Sequence, residues 1–181
     1  MGNLWGMRSV ITTANLVVGA DGSTTLAGSS IGLSTDEDRR RFHELRSKND
    51  LILIGGNTAR REPYKRTPIP LYILTHTKVR LQPKNQLVKQ FALTPAEMIN
   101  ELKSSFNPDK TTPINLLVEA GPVLLQNMIK EGLIENLYLT VNLEKTGENS
   151  ISIKDLTNSF ELISREHIAP CDFLFYKKLT K

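Results

Sequence analysis

Glycine stands at two places where an apolar segment gives way to a helical one. These are the pairs Gly55-Gly56 and Gly121-Pro122. Because glycine has no Cβ atom, a ligand can approach its backbone closely, and the free N–H groups at the start of a helix favour a phosphate. One such turn is often only a tight connection, but two in one small domain favour a nucleotide cofactor that carries a diphosphate. Neither turn matches the GxGxxG or P-loop pattern.

Glu119 follows directly after the apolar segment 114–118. A carboxylate at the end of a buried strand loses hydration unless another group uses it. We interpret Glu119 as a ligand anchor that accepts hydrogen bonds from an amine or a hydroxyl. The alternative is a carboxylate that caps the following helix. Arg46, near the end of an earlier predicted helix, could point toward the same edge.

A basic loop follows the apolar segment 71–74. It contains His76, Lys78 and Arg80, and no acidic residue stands there to bind a ribose 2′-hydroxyl. This composition favours the 2′-phosphate of NADP over NAD. An ordinary solvated basic loop remains the alternative.

Residues 19–35 form a long connection in which 11 of 17 positions are Gly, Ser or Thr. Such a segment is too polar and flexible to be core. It contains the turn Asp21-Gly22, and it could be a flexible flap over a site or an ordinary surface loop.

Several classes of function are excluded. The 23 Lys and Arg and 19 Asp and Glu residues are spread along the chain, which does not indicate a nucleic-acid partner. No apolar stretch reaches the roughly 18 residues of a membrane span. The single cysteine, Cys171, is placed in a predicted turn at 169–172 and favours a reducing, cytoplasmic compartment. No metal cluster and no Ser-His-Asp arrangement is expected, and His43 and His167 are predicted to have no catalytic role.

The elements that must position these residues alternate between strands and helices. Strands are predicted at 10–18, 50–55, 71–74, 114–118 and 137–141, and helices at 36–48, from Thr94 onward and from the second glycine turn to about Glu131. Segments 160–168 and 173–179 predict an antiparallel hairpin. Buried strands that alternate with helices predict a mostly parallel mixed sheet covered on both faces. At 181 residues, we expect one domain over 1–181.

Seven segments carry a resemblance to a known family. They are Asn15 to Gly22, Gly28 to Ser34, Phe42 to Arg46, Asp50 to Thr58, Glu62 to Tyr64, Val118 to Leu124 and Gly132 to Leu137. As an ordered set covering about residues 9–148, they resemble the riboflavin-biosynthesis pyrimidine reductases, which comprise the reductase part of RibD and its stand-alone relatives.

The resemblance implies a dihydrofolate-reductase-like three-layer α/β fold, NADPH as cofactor and a homodimer. It implies reduction of the ribosyl side chain of an aminopyrimidine ribosyl 5′-phosphate to the ribityl form. The implied cofactor contacts, which add to Gly55 and Gly56, are Val17, Thr58, His76, Gly121, Pro122, Val123, Leu124, Leu125 and Asn127. The implied substrate contacts are Ser30, Arg46, Arg66 and Glu119.

Glu119 and Glu62 are the predicted catalytic residues. Glu62 is included because it matches an acidic loop position that, in the family, lies near both ligands. The arginines would meet the substrate phosphate, for which guanidinium geometry is well suited. Two alternatives stay open. One is a dihydrofolate or pterin reductase on the same scaffold, and the other is a non-catalytic nucleotide-binding module.

Overall fold

A computed structural model describes residues 9–106 and 112–180 of the chain. Its eight strands are β1 (Val10–Gly19), β2 (Leu51–Gly55), β3 (Leu71–Leu74), β4 (Val88–Phe91), β5 (Ile114–Val118), β6 (Asn136–Asn142), β7 (Phe160–Ile168) and β8 (Cys171–Lys178). Its helices are α1 (Asp36–Ser47), α2 (Gly56–Arg61), α3 (Pro95–Ser105), α4 (Pro122–Lys130) and α5 (Ile153–Thr157), with a short 3-10 turn at Ser30–Gly32. Within these residues, no helix has both the length and the apolar character needed to span a membrane.

The strands form one sheet in the order β4-β3-β2-β5-β1-β6-β8-β7. Every pairing from β4 to β6 is parallel. Strand β8 runs antiparallel to β6, and β7 runs antiparallel to β8. The prediction of a mostly parallel mixed sheet that ends in an antiparallel hairpin is confirmed.

Helices cover both faces of the sheet. In β5, Leu116 and Val118 face the core that contains α3, α4 and α5, whereas Leu117 faces the core on the other side, with Ala59 of α2. This alternation follows from the two-residue period of a strand. Strands β2 and β5 are therefore almost wholly apolar, because both of their faces are buried. The result is the predicted three-layer arrangement.

Two predicted helix starts are confirmed in detail. The Thr35 hydroxyl accepts from the amide of Asp38 at 3.2 Å and caps α1. Thr94 and Glu97 form a reciprocal capping box at the start of α3, with Pro95 in the first position. Each cap satisfies backbone N–H groups that have no partner within the helix.

The structure also departs from the sequence predictions. Strand β4 and helix α5 were not predicted, because β4 is a short edge strand with the polar residues Lys89 and Gln90, and α5 has only five residues. The placement of Cys171 in a turn was wrong. Cys171 begins β8 and is fully buried, and only Ala169 and Pro170 separate the hairpin strands.

Candidate functional site

The two glycine turns lie side by side at one edge of the sheet. Strands β2 and β5 are parallel neighbours, with Leu53 opposite Val118, so their carboxyl ends meet at the same rim. The amide of Gly121 donates a hydrogen bond to Thr58 Oγ1 at 3.1 Å. The first turn (residues 55–58) is thus bonded directly to the second turn (residues 121–124), and both turns lie at one rim of the sheet.

Both turns leave no room for a side chain between them. A Cβ atom on Gly55 would lie 3.2 Å from Leu124 Cδ2, and one on Gly121 would lie 3.1 Å from Thr58 Oγ1. Helix α4 starts at Pro122, so the amides of Val123 and Leu124 have no carbonyl partner within the helix. The glycines thus let the two turns pack closely, and the amides of Val123 and Leu124 at this rim could hold the diphosphate of a dinucleotide.

The other predicted cofactor residues divide into two groups. Val17 lies near the carboxyl end of β1, His76 is exposed in the loop after β3, and Val123 and Asn127 are exposed on α4. Leu125 differs, because its side chain is fully buried in the core and its amide donates to Gly121 O at 3.1 Å. Leu125 therefore supports the second turn from inside.

Glu119 and Arg46 form a buried ion pair. Arg46 Nε donates to Glu119 Oε1 at 2.8 Å, and Arg46 Nη2 donates to Glu119 Oε2 at 2.7 Å. The side chains of Arg46 and Glu119 are only 11% and 3% exposed. The structure thus joins two predicted substrate residues, from α1 and from the end of β5, in a bidentate contact that is among the stronger hydrogen-bonding arrangements in proteins.

Two aromatic residues complete the surroundings of this ion pair. The Arg46 guanidinium lies 4.1 Å from the centre of the Phe42 ring and 5.3 Å from that of Tyr64. The Tyr64 hydroxyl donates to Glu119 Oε2 at 2.9 Å. Stacking on aromatic faces and bonding to a carboxylate together hold the guanidinium in one place.

The electrostatics of this cluster preserve its hydrogen bonds at neutral pH. Burial raises the pKa of Tyr64 well above its ordinary value of 10.0, and the charge of Glu119 raises it further, so the hydroxyl keeps its proton. Burial alone would lower the pKa of Arg46, but hydrogen bonds and charge from Glu119 outweigh that effect and raise it. The guanidinium therefore stays charged.

Glu62 contacts the segment that the sequence left open as a flap or a surface loop. Its carboxylate accepts from Ser29 Oγ at 2.9 Å and from the amide of Ser30 at 2.8 Å. A predicted catalytic residue and a predicted substrate residue are thus in contact. Glu62 uses one acceptor position on each oxygen to hold the segment.

A second carboxylate holds the same segment from the other side. Glu148 accepts from the amides of Ala27 and Gly28, both at 3.2 Å, and from Thr25 Oγ1 at 3.0 Å. Gly28 has a φ of +80°, a conformation that favours glycine. Residues 25–30 are therefore bonded to carboxylates on both sides.

Arg66, the remaining predicted substrate residue, is exposed and makes no hydrogen bond or ion pair within residues 9–106 and 112–180. It does not join the Arg46–Glu119 pair. Of the two arginines predicted to meet a phosphate, Arg66 is the one whose guanidinium is unoccupied by a carboxylate.

The sequence analysis missed the parts played by Tyr64 and Phe42. Both residues were noted only within segments that carry the family resemblance, Tyr64 in Glu62 to Tyr64 and Phe42 in Phe42 to Arg46. The available signal was a tyrosine in a proline-rich connection, two residues after Glu62, because an aromatic residue in a polar loop often packs inward.

Two cavities in the described part of the chain lie away from the glycine turns. One of about 340 Å³ opens near the start of β3 and β4, lined by residues that include Pro70, Val88 and Phe106. The other, about 80 Å³, lies on the sheet beside Tyr138 and Phe175. Among the described residues, no group of three or more His, Cys, Asp or Glu is arranged to hold a metal ion. The candidate site is instead an open edge of the sheet.

Comparison with known proteins gives the chain its relatives. The family model described as the RibD C-terminal domain matches residues 10–159. No curated protein matches the chain in sequence. Among solved structures, Acinetobacter baumannii RibD (form 1) superposes with a TM-score of 0.74 at 14% identity, covering 95% of this chain and 59% of that one. This chain therefore spans about three-fifths of that RibD.

Two further structures match over nearly their whole length. A pyrimidine reductase-like protein from Corynebacterium diphtheriae has a TM-score of 0.69 at 15% identity, with 95% of this chain and 93% of that one covered. A dihydrofolate reductase from Enterococcus faecalis, solved with NADP(H), has a TM-score of 0.69 at 15% identity, with coverage of 94% and 98%. These likenesses confirm the dihydrofolate-reductase-like fold.

Proposed function

The chain belongs to the RibD C-terminal domain family, and from that premise we propose that it is an NADPH-dependent pyrimidine reductase. Its proposed reaction reduces the ribosyl side chain of an aminopyrimidine ribosyl 5′-phosphate to the ribityl form. The family comprises NAD(P)H-dependent reductases, and the chain's fold is that of a dihydrofolate reductase solved with NADP(H).

One observation carries this proposal: Glu119, which pairs with Arg46, stands two residues before Gly121 of the second glycine turn. The Arg46–Glu119 pair and the two turns thus lie close together at the rim formed by β2 and β5, and we assign the pair to the substrate and the turns to the diphosphate. In open α/β sheets, ligands bind beyond the carboxyl ends of the strands. Substrate and cofactor bound at this rim would lie next to each other.

The proposed roles follow from the contacts of each residue. The amides of the two turns would hold the diphosphate of NADPH, and Arg66 would hold the substrate phosphate. Glu119, kept in place by Arg46, would orient the substrate by accepting a hydrogen bond. Glu62 would order residues 29 and 30 over the site. NADPH supplies the hydride when bound, and the protein contributes alignment.

The test is an NADPH-oxidation assay with purified protein and the aminopyrimidine ribosyl phosphate. Disappearance of NADPH absorbance that depends on this substrate is the expected result. Absence of turnover with any such substrate would contradict the proposal. Binding of NADPH by calorimetry without hydride transfer to any acceptor would point to the non-catalytic nucleotide-binding module.

Reduction of dihydrofolate is the second candidate, favoured by the likeness to the Enterococcus faecalis enzyme. Turnover of dihydrofolate, with inhibition by antifolates, would select it over the first. We also propose a homodimer, on the basis of the family resemblance, and a cytoplasmic location, on the basis of the single cysteine. A mass from sedimentation equilibrium that is twice that of the chain would support the dimer, and a mass equal to that of a single chain would contradict it.

A further inference from the structure

Tyr64 is a buried tyrosine in an otherwise polar connection, and the roles proposed above give it no part. It is 7% exposed, whereas its neighbours Pro63 and Lys65 are exposed. Its hydroxyl donates to Glu119 Oε2 at 2.9 Å. Because a buried hydroxyl without a partner is costly, this hydrogen bond anchors the ring as firmly as it does the carboxylate.

The backbone of Tyr64 is held independently of β5. Its amide donates to Gln82 Oε1 at 3.0 Å, and its carbonyl accepts from Asn85 Nδ2 at 2.9 Å. Gln82 Nε2 also donates to the carbonyls of Ala59 and Glu62, at 2.7 and 2.8 Å. The loop between β3 and β4 thus fixes both sides of Tyr64, so the hydroxyl is presented to Glu119 from a rigid support.

This contact takes up a further acceptor position on Glu119. A carboxylate has about four acceptor positions. Arg46 occupies one on each oxygen, and Tyr64 occupies a second on Oε2. The remaining position belongs to Oε1, so Tyr64 limits how a substrate donor can approach the carboxylate.

We propose that Tyr64 is a positioning residue for Glu119, one that governs recognition of substrate and leaves cofactor binding unchanged. Its hydroxyl fixes the carboxylate in the orientation set by Arg46 and leaves Oε1 as the acceptor for a substrate amine or hydroxyl. The inference rests on the proposed function and adds a specificity-determining residue to the same site.

The decisive variant is Tyr64→Phe, which removes the hydroxyl and keeps the ring. We expect KM for the aminopyrimidine ribosyl phosphate to rise about tenfold, the size expected for losing a hydrogen bond to a charged group, with kcat little changed. The affinity for NADPH, measured by calorimetry, should equal that of the wild type.

Tyr72→Phe is the matched control. Tyr72 is also 7% exposed and lies in strand β3. Its hydroxyl has no hydrogen-bond partner in the described part of the chain. Its KM should match that of the wild type. A general effect of deleting a tyrosine hydroxyl would appear in both variants, whereas positioning of Glu119 appears only in Tyr64→Phe.

Each outcome separates this inference from the proposed function. If the wild type reduces the substrate and Tyr64→Phe does so with the same KM and kcat, the inference is overturned and the proposed function stands. A parallel loss of kcat and NADPH affinity also overturns it, because that pattern indicates general damage. If the wild type binds substrate without turnover, the affinity for substrate measured by calorimetry replaces KM. Binding to Tyr64→Phe that is about tenfold weaker than to the wild type then supports the inference, and equal binding refutes it. A wild type that binds no substrate overturns both.

Discussion

The amide of Gly121 donates to the hydroxyl of Thr58 at 3.1 Å, across the carboxyl ends of two parallel strands. This bond joins the turn after β2 to the turn after β5. Each turn by itself is an ordinary strand-to-helix connection, but because they are bonded to each other the two turns form one continuous backbone surface. The account of cofactor binding depends on that surface keeping its shape.

Replacing Thr58 with valine should weaken NADPH binding. Valine has nearly the same shape but cannot accept from Gly121, so one backbone amide loses its partner and the two turns separate. The cost should be about 1–3 kcal/mol in unfolding free energy, with NADPH affinity reduced about fivefold or more. Calorimetric titration measures the affinity. Thr58→Ser is the control, because it retains the hydroxyl, and wild-type affinity in Thr58→Val would contradict the role of the bond.

Glu119→Gln should lower turnover by at least about tenfold, equivalent to about 1.4 kcal/mol in the activation barrier, while NADPH affinity stays within a few-fold. The substitution keeps the size of the side chain but removes the charge that pairs with Arg46. Steady-state kinetics and calorimetry separate the two effects. Glu101→Gln, on the exposed surface of α3, should behave as wild type. Wild-type rates in Glu119→Gln would refute the role assigned to Glu119.

Glu62→Ala should loosen the segment that carries Ser29 and Ser30. Without the carboxylate, the amide of Ser30 loses its acceptor, and its hydrogen exchange should accelerate about tenfold. Exchange followed by NMR reports this directly. Glu44→Ala removes a carboxylate from an exposed ion pair with Arg40 and should leave Ser30 unchanged. Equal protection of Ser30 in wild type and Glu62→Ala would show that the carboxylate does not hold the segment.

The contact of Glu148 with the same segment should depend on pH. Hydrogen bonds from the Gly28 amide, followed by those from Thr25 and Ala27, lower the pKa of Glu148 below its ordinary value of 4.5. A lowered folded-state pKa means that the contact is complete above pH 4.5 and is lost as the pH falls through the folded value. The Gly28 amide resonance should shift over that acidic range in the wild type and stay constant in Glu148→Gln. A titration of Gly28 in both proteins would contradict this assignment.

The parts of the fold that could be predicted are those written in local patterns. Strand β2 is apolar throughout and β5 contains one polar residue, Asn115, because the sheet buries both of their faces, and the caps at Thr35 and Thr94 are local signals. Strand β4 gave no such signal. As an edge strand it pairs only with β3; Lys89 is exposed, and Gln90 is half-buried and hydrogen-bonded to the loop before β4.

The residues of the candidate site that could be predicted are those at the end of a strand. Glu119 stood out because a carboxylate follows a buried strand. Its pairing with Arg46, 73 residues away, depends on how α1 crosses the sheet, which no local pattern encodes. The burial of Tyr64 likewise depends on Gln82 and Asn85, which reach it from a loop about twenty residues later in the chain. Polar contacts between distant segments were therefore the part that sequence reasoning could not supply.

Amide hydrogen exchange with and without NADPH tests the central claim most directly. We expect saturating NADPH to slow exchange at residues 56–58 and 123–124, and we expect protection at both turns to appear with the same concentration dependence. If NADPH binds but protects amides at only one turn, or only elsewhere on the sheet, the cofactor does not lie across the pair of glycine turns.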